Sequence, residues 1–465
     1  MLLKYLYNYK KIYLFKFEHI LCVFWIGCLL SVNSKISDLY IADQNPLAIF
    51  LIFIRIAIPI LVFLILIFFF KIKKLDLFNL SYLFFALWQL IILSTNKVSS
   101  IAELEKYHLI ISMIAILLII HVVKYSNFKF LESKLLIFST LFITSISFYY
   151  SILIFFEFIT SKEIFYLYWN AATIAEGRNL LQTNPRITGI SRMLGLVIFF
   201  IFSMFICNKK KINNLLLIAL MFIISFLLYG MQAKGSYLSI LILIIYYIFF
   251  FKEEIKKKIF ISFIILILPI LAFEAVVKIK VYSINKFGSK AIEETNINSR
   301  FFSKHTYKHT LVINGEVRKD YTTGRYEIWT RALKIIKEKR VFIGYGPQAD
   351  RMLLGTEIIN SSMPKHFFDS NASNGLIYSY LCAGIIGLLF MLSIYLLILI
   401  ELFKSIFIKK AFTKKKVNVI FSILTLTFLS LRTFYENGYA LFGIDFIFTT
   451  LAYIILQKFN LRSKL

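Results

Sequence analysis

Long apolar runs recur along this chain, and their length constrains the fold more than any other feature. Roughly twelve runs approach or exceed the length that an α-helix needs to cross about 30 Å of hydrocarbon. The hydrophobic share of 59% and mean hydropathy of +0.77 also exceed those of a soluble domain. The sequence therefore predicts an all-α integral membrane protein with about twelve transmembrane helices. The runs lie at 17–32, 47–70, 78–94, 108–123, 135–158, 190–207, 213–229, 235–251, 259–277, 376–400, 417–432 and 441–457.

Lysine clusters indicate the orientation of these helices. With twelve spans, the clusters at 71–74, 208–211, 252–258 and 409–416 all fall on one side of the membrane. Short cytoplasmic loops carry the positive excess, so we expect both termini in the cytoplasm. No small-residue cleavage site follows the first run, which we interpret as a retained span. The net charge of +28 then reflects topology and requires no nucleic-acid partner.

The same topology predicts three regions. Helices 1 to 9 occupy residues 1–277, one large outer loop covers 278–375, and helices 10 to 12 occupy 376–465. The four cysteines lie in or beside the spans without metal-ligand spacing, so the sequence predicts no disulfide and no metal site.

The arginines are distributed against the positive-inside trend. The chain has 41 lysines but 12 arginines, and ten of these arginines fall on the predicted outer side. Arginine offers a planar fork that binds phosphate bidentately, so we expect a pyrophosphate ligand at the outer membrane surface. Pairing with acids in a soluble loop is the alternative, and it is weaker beside spans, where charge is costly. The ten are Arg178, Arg186, Arg192, Arg300, Arg318, Arg325, Arg331, Arg340, Arg351 and Arg432.

The centre of the outer loop reads TTGRYEIWTRALKIIKEKRVFIGYGP, from 322 to 347. Apolar residues at 328, 332, 335 and 336 share one face, so the spacing predicts an amphipathic helix resting on the membrane or on the spans. Arg325 lies in its first turn, where a cation gains nothing from the helix dipole and implies a ligand or a carboxylate partner. Trp329 could stack on a sugar or anchor the helix at the interface.

A polar sequence, SNASNG, precedes the tenth predicted span. Its amide and hydroxyl groups, including those of Ser373 and Asn374, could cap the helix or bind sugar hydroxyls. The alternatives remain open at this level.

Four segments in this order resemble the O-antigen polymerase and O-antigen ligase superfamily. They are NPRITGISRMLG (184–195), TGRYEIW with FIGYGP, SNASNGLIYSYLCAGIIGLL, and LRTFYENGYALFGIDF (431–446). The resemblance implies a GT-C-like membrane glycosyltransferase that moves a glycan from undecaprenyl pyrophosphate to an acceptor hydroxyl. It also implies the periplasmic face of the bacterial inner membrane, no metal or nucleotide sugar, and a chain-length-determinant protein as a candidate partner.

The resemblance also suggests residues for the chemistry. Arg186, Arg192, Arg325 and Arg432 are candidates for a pyrophosphate clamp. Glu436 is the preferred candidate for the base, with an ion pair to Arg432 as its plain alternative and with His366 as a weaker candidate. The expected substrate-binding residues are Lys234, Gly324, Trp329, Ser373 and Asn374.

Two departures favour a polymerase over a ligase. Ligases resembling this chain carry a histidine where Ser373 stands and an arginine where Lys234 stands. A flippase or transporter is a further alternative, but the main charges well inside predicted spans are Arg55 and Glu157, and no inverted repeat is evident. A structural scaffold would leave the outer arginines without a role.

Overall fold

The computed structural model describes the greater part of the chain. The described residues are 21, 24–30, 57–67, 74–95, 101–125, 131–160, 187–208, 211–231, 234–287, 310–313, 316–319, 325–338, 341–350, 353–354, 372–409, 411–440 and 442–462.

Helices dominate these residues. After helical stretches at 24–30 and Ala57–Ile67 come eleven helices that we number in chain order. They are α1 (Leu77–Ser94), α2 (Ile101–Tyr125), α3 (Leu131–Thr160), α4 (Ile187–Cys207), α5 (Lys211–Gly230), α6 (Lys234–Phe250), α7 (Ile255–Phe287), α8 (Arg325–Glu338), α9 (Gly375–Phe403), α10 (Val417–Arg432) and α11 (Ile444–Arg462).

Eight of the described helices, namely α1 to α5, α7, α9 and α11, are long and apolar enough to cross a membrane. The stretch Ala57–Ile67 and helices α6 and α10 are apolar but shorter. The predicted integral membrane protein with multiple spans is therefore confirmed. The exact number of twelve spans stays a prediction.

The helices differ in how much protein surrounds them. In the apolar part of α11, 83% of the residues are buried, and in that of α4, 78% are buried. In the apolar part of α7, only 22% of the residues are buried. Helices α4 and α11 thus lie at the centre of the bundle, and α7 lies at its edge. Large apolar side chains such as Ile259, Phe260 and Leu271 are exposed along α7, as expected for a surface that meets lipid.

A small hairpin lies in the predicted outer loop. Strands β1 (Thr310–Ile313) and β2 (Glu316–Lys319) pair antiparallel, with Thr310 opposite Lys319 and Ile313 opposite Glu316. The sequence between them is Asn-Gly, the dipeptide favoured in two-residue hairpin connections. The all-α prediction was therefore wrong for these eight residues, because a four-residue strand is too short to stand out from its surroundings.

Helix α8 coincides with the amphipathic pattern. Ala332, Ile335 and Ile336 are buried, while Lys334 and Glu338 are exposed and form an ion pair of 3.8 Å. The helix buries its apolar face against the bundle, which includes α9.

Helix α9 is broken at Gly384, whose φ of 64° and ψ of −160° are not helical. The chain at 342–346 fills the break. Phe342 accepts a hydrogen bond from the N–H of Ile385 (3.0 Å), and the N–H groups of Tyr345 and Gly346 donate to Leu381 and Cys382 (3.0 and 2.8 Å). The carbonyl of Ala383 accepts from the indole of Trp88 at 2.9 Å. The backbone groups freed by the break are thus satisfied, as a membrane-embedded helix requires.

Gly384→Ala is expected to destabilise the fold strongly. A Cβ there would lie 2.0 Å from the carbonyl oxygen of Phe342, and the positive φ adds strain. We expect a loss of at least about 3 kcal/mol, measured as a lower melting temperature of the detergent-solubilised protein. Gly189→Ala in α4 is the matched control, because no atom lies within 4 Å of a Cβ there. Equal melting temperatures for both variants would contradict the packing described.

Candidate functional site

In the polar sequence before α9, Asn374 is the N-cap of the helix. The side-chain oxygen of Asn374 accepts from the N–H groups of Leu376 and Ile377 at 2.9 and 3.1 Å. Its amide nitrogen donates to the carbonyl of Phe434 at 2.9 Å. Capping therefore accounts for Asn374, and the same amide also ties the start of α9 to the segment that follows α10.

Two further contacts strengthen this junction. The N–H of Gly375 donates to the carbonyl of Thr433 at 2.7 Å, and a Cβ at Gly375 would lie 2.6 Å from the Thr433 methyl group. The indole of Trp329 donates to the carbonyl of Ser373 at 3.3 Å. Helix α8, the start of α9 and the turn after α10 therefore meet at one place.

An alternating network of charges lies at this junction. Asp445 Oδ2 accepts from Arg192 Nη1 at 3.2 Å and from Arg432 Nη1 at 2.8 Å. Glu436 Oε1 lies 3.2 Å from Arg325 Nη2 and 3.9 Å from Arg432 Nη2. We call these five side chains the arginine cluster. It joins residues from α4, α8, α10, α11 and the turn after α10.

The cluster has a buried centre and an open edge. The side chains of Asp445 and Arg432 are 3% and 6% exposed, whereas those of Arg192, Glu436 and Arg325 are 24% to 28% exposed. Three cations face two anions, which leaves one positive charge. Charge held between a low-dielectric interior and an accessible edge attracts an anion more strongly than the same charge in water.

Some buried polar atoms of the cluster have no hydrogen-bond partner among the described residues. They are Nε of Arg192, Nε of Arg432 and Oδ1 of Asp445. Buried polar atoms are nearly always paired in native proteins, so those without a partner call for water or a ligand.

Tyr435 supports the open edge. The guanidinium of Arg325 lies 5.8 Å from the centre of the Tyr435 ring, within cation–π distance. The Tyr435 hydroxyl donates to the carbonyl of Gly235 at 3.3 Å, and burial raises the pKa of Tyr435 to about 12. The phenol therefore stays neutral near pH 7. A Cβ at Gly235 would lie 2.8 Å from the ring, so only glycine leaves the ring in place.

The structure brings together four of the five residues predicted to be catalytic: Arg192, Arg325, Arg432 and Glu436. Trp329 and Asn374 lie at the same junction, where their side chains donate hydrogen bonds to the carbonyl groups of Ser373 and Phe434, respectively. Arg186, Gly324, His366 and Arg55 lie outside the described residues, as do the side chains of Lys234 and Glu157.

Sequence reasoning missed three residues at the site: Asp445, Tyr435 and Gly235. Asp445 carried a usable signal, because it is an isolated acid in the apolar run FGIDFIF. An acid in such a run needs a cationic partner, and Arg432 lies thirteen residues before it. In the part of the chain that the structure describes, no group of three His, Cys, Asp or Glu side chains could hold a metal.

Tyr435→Ala is expected to reduce activity about tenfold or more, because Arg325 loses the ring beneath its guanidinium. Tyr435→Phe keeps the ring and loses only the hydrogen bond to Gly235, so we expect at least half of the activity to remain. The measurement is the amount of polysaccharide product per amount of membrane-inserted protein. Equal losses in both variants would show that the hydroxyl, and not the ring, matters.

A comparison with models of known protein families gives a match. The model of the O-antigen ligase family matches residues 219–392, a range that contains Arg325 and the junction at Ser373 and Asn374. The chain matches no curated protein. The match confirms the resemblance to the O-antigen ligase and polymerase superfamily that the sequence motifs indicate, and it does so over residues 219–392.

Proposed function

We propose that this protein is a membrane glycosyltransferase that polymerises lipid-linked repeat units of O-antigen or a similar surface polysaccharide. The observation that carries the proposal is the arginine cluster. It holds three guanidinium groups, one net positive charge and an open edge at the junction of α8 and α9.

The proposed substrate explains why the cluster is cationic. Undecaprenyl pyrophosphate keeps its lipid in the bilayer and presents a pyrophosphate at the membrane surface. Arg325 and Arg192 are the more exposed arginines of the cluster and bind its oxygens, while buried Arg432 is held in place by Asp445. Preorganised guanidinium groups stabilise the charge that develops on the leaving group, an effect worth about 3 to 4 kcal/mol per well-placed donor.

Glu436 is the proposed base. Its Oε1 faces Arg325 and Arg432. A bound pyrophosphate competes for these guanidinium groups and releases the carboxylate. Glu436 then takes the proton from the acceptor hydroxyl, whose oxygen forms the new bond to the anomeric carbon as the bond from that carbon to the phosphate oxygen breaks. Undecaprenyl pyrophosphate leaves with the bonding electrons.

The polymerase proposal rests on two positions. Ser373 and Lys234 stand where ligases resembling this chain carry histidine and arginine. Lys234 is the neighbour of Gly235, which contacts Tyr435, so the position adjoins the arginine cluster. The alternative is a ligase that transfers finished polymer to lipid A-core or to protein, and the description of the matched family as O-antigen ligase favours it.

The proposal includes an architecture and a location. The chain would have about twelve spans in a GT-C-like arrangement, the region 278–375 in the periplasm, and both termini in the cytoplasm of a bacterial inner membrane. A chain-length-determinant protein would be a partner. The match to the O-antigen ligase family makes a flippase or transporter less favoured.

Gel analysis of surface polysaccharide from a strain lacking the gene tests the proposal. For a polymerase, core lipid bearing a single repeat remains and the ladder of longer chains disappears. For a ligase, bare core appears and long lipid-linked polymer accumulates. An unchanged ladder contradicts both activities.

A further inference from the structure

The segment that fills the break in α9 also has two large apolar side chains on the surface of the protein. Phe342 is 69% exposed and Ile343 is 61% exposed. The region 341–349 contains no charged residue, although charged residues lie directly before it at 337–340 and after it at 350–351. Adjacent exposed apolar residues of this size are unusual on a surface that faces water.

Helix α1 provides a scale for the depth of this segment. Its 18 residues span about 27 Å, close to the thickness of the hydrocarbon layer. Helix α9 runs antiparallel to it, since Ser81 contacts Ser393 and Trp88 contacts Ala383. Trp88 lies six residues before the end of α1 at Ser94, so the break in α9 lies about 9 Å inside that end of the helix.

Three polar groups of the inserted backbone are paired as a position inside a membrane requires. Irregular backbone at such depth is tolerated only where its polar groups are paired within the protein. Phe342, Tyr345 and Gly346 pair with α9, as described above. Gly344 lies so close to α9 that a Cβ added to it would be 2.6 Å from the backbone of Ala383.

The surrounding surface is also apolar. Leu389 on α9 is 59% exposed, and Ile91 on α1 is 55% exposed. Both residues belong to helices that are long and apolar enough to span the membrane. Phe342 and Ile343 therefore lie at a depth at which the neighbouring helices present apolar side chains to lipid.

We propose that 341–347 is a re-entrant segment, in which Phe342 and Ile343 insert into the hydrocarbon of the outer leaflet and contact its acyl chains. The sequence alone had placed these residues in an outer loop. The insertion would fix the C-terminal end of α8 in the membrane, while Arg325 at the other end remains at the arginine cluster. The inference depends on the membrane-spanning helices and not on the proposed transfer reaction.

Photocrosslinking in nanodiscs tests this inference. The full-length protein carries p-benzoylphenylalanine at position 342 or 343, in nanodiscs of phosphatidylethanolamine and phosphatidylglycerol, and intact mass after irradiation reports the adduct. Position 389 is the lipid-facing control. Position 334 is the control for an equally exposed residue on α8, since Lys334 is 62% exposed.

We expect adducts with the mass of one phospholipid at 342, 343 and 389, and at least tenfold less at 334. Absence of lipid adducts at both 342 and 343, when 389 gives them, would overturn the inference. Crosslinking of both positions mainly to a second copy of the chain would also overturn it. Having two reporter positions guards against one variant that fails to fold.

Discussion

Arg325→Ala is expected to abolish product formation while the protein still accumulates in the membrane. Arg325 is 28% exposed and lies at the open edge of the arginine cluster, so its loss costs the fold little. The same change removes the guanidinium that pairs with Glu436 and is proposed to bind the pyrophosphate. We expect a reduction of at least about 100-fold in polysaccharide product, measured on gels against the amount of membrane-inserted protein.

Two control variants sharpen this test. Arg331 lies six residues further along α8, on another face of the helix, so Arg331→Ala should leave product formation within about twofold of wild type. Arg325→Lys keeps the charge but loses the planar fork, and we expect it to recover only a small part of the activity. Normal product from Arg325→Ala would exclude the proposed role of this residue.

Asp445→Asn is expected to cost both stability and activity. Asp445 is 3% exposed, and a single carboxylate oxygen holds both Arg192 and Arg432. The amide cannot compensate the two cations, and removing one partner of a buried ion pair costs about 3 to 5 kcal/mol. The melting temperature of the solubilised protein should fall, and product formation should be lost.

A double variant separates the two effects. Arg192→Gln added to Asp445→Asn removes one uncompensated cation, so we expect the melting temperature to recover in part while product formation stays absent. Glu338→Gln is the control for an exposed ion pair, because Glu338 is 56% exposed, and it should change stability by less than about 1 kcal/mol. If Asp445→Asn kept both stability and activity, Asp445 would have no role in holding the arginines.

Helix positions were the part of the fold most accessible to sequence reasoning. The run predicted at 78–94 became α1 at Leu77–Ser94, and the run at 417–432 became α10 at Val417–Arg432. The reason is physical: hydrocarbon requires long apolar segments with internally satisfied backbone, so the pattern leaves little freedom. The break at Gly384 did not follow from the pattern, because it depends on the chain at 342–346 that fills it.

The candidate site was predictable in part. Arg192, Arg325 and Arg432 could be selected because arginine is scarce in this chain and occurs against the topological gradient. Tyr435 could not be selected on that basis, since a single tyrosine has many structural roles, and the isolated acid Asp445 indicated only the need for a cationic partner, without saying which one. Their importance follows from contacts with side chains that are distant in sequence, such as Arg192, which precedes Asp445 by 253 residues.

The sequence by itself determined that this chain is a multi-span membrane protein and which arginines oppose the usual charge distribution, because both depend on residue type and order alone. Only the tertiary structure decided that three of those arginines share two carboxylates, that Asn374 caps α9, and that α9 is broken. These features depend on where helices from distant parts of the chain meet, and packing of complementary surfaces decides that, not local pattern.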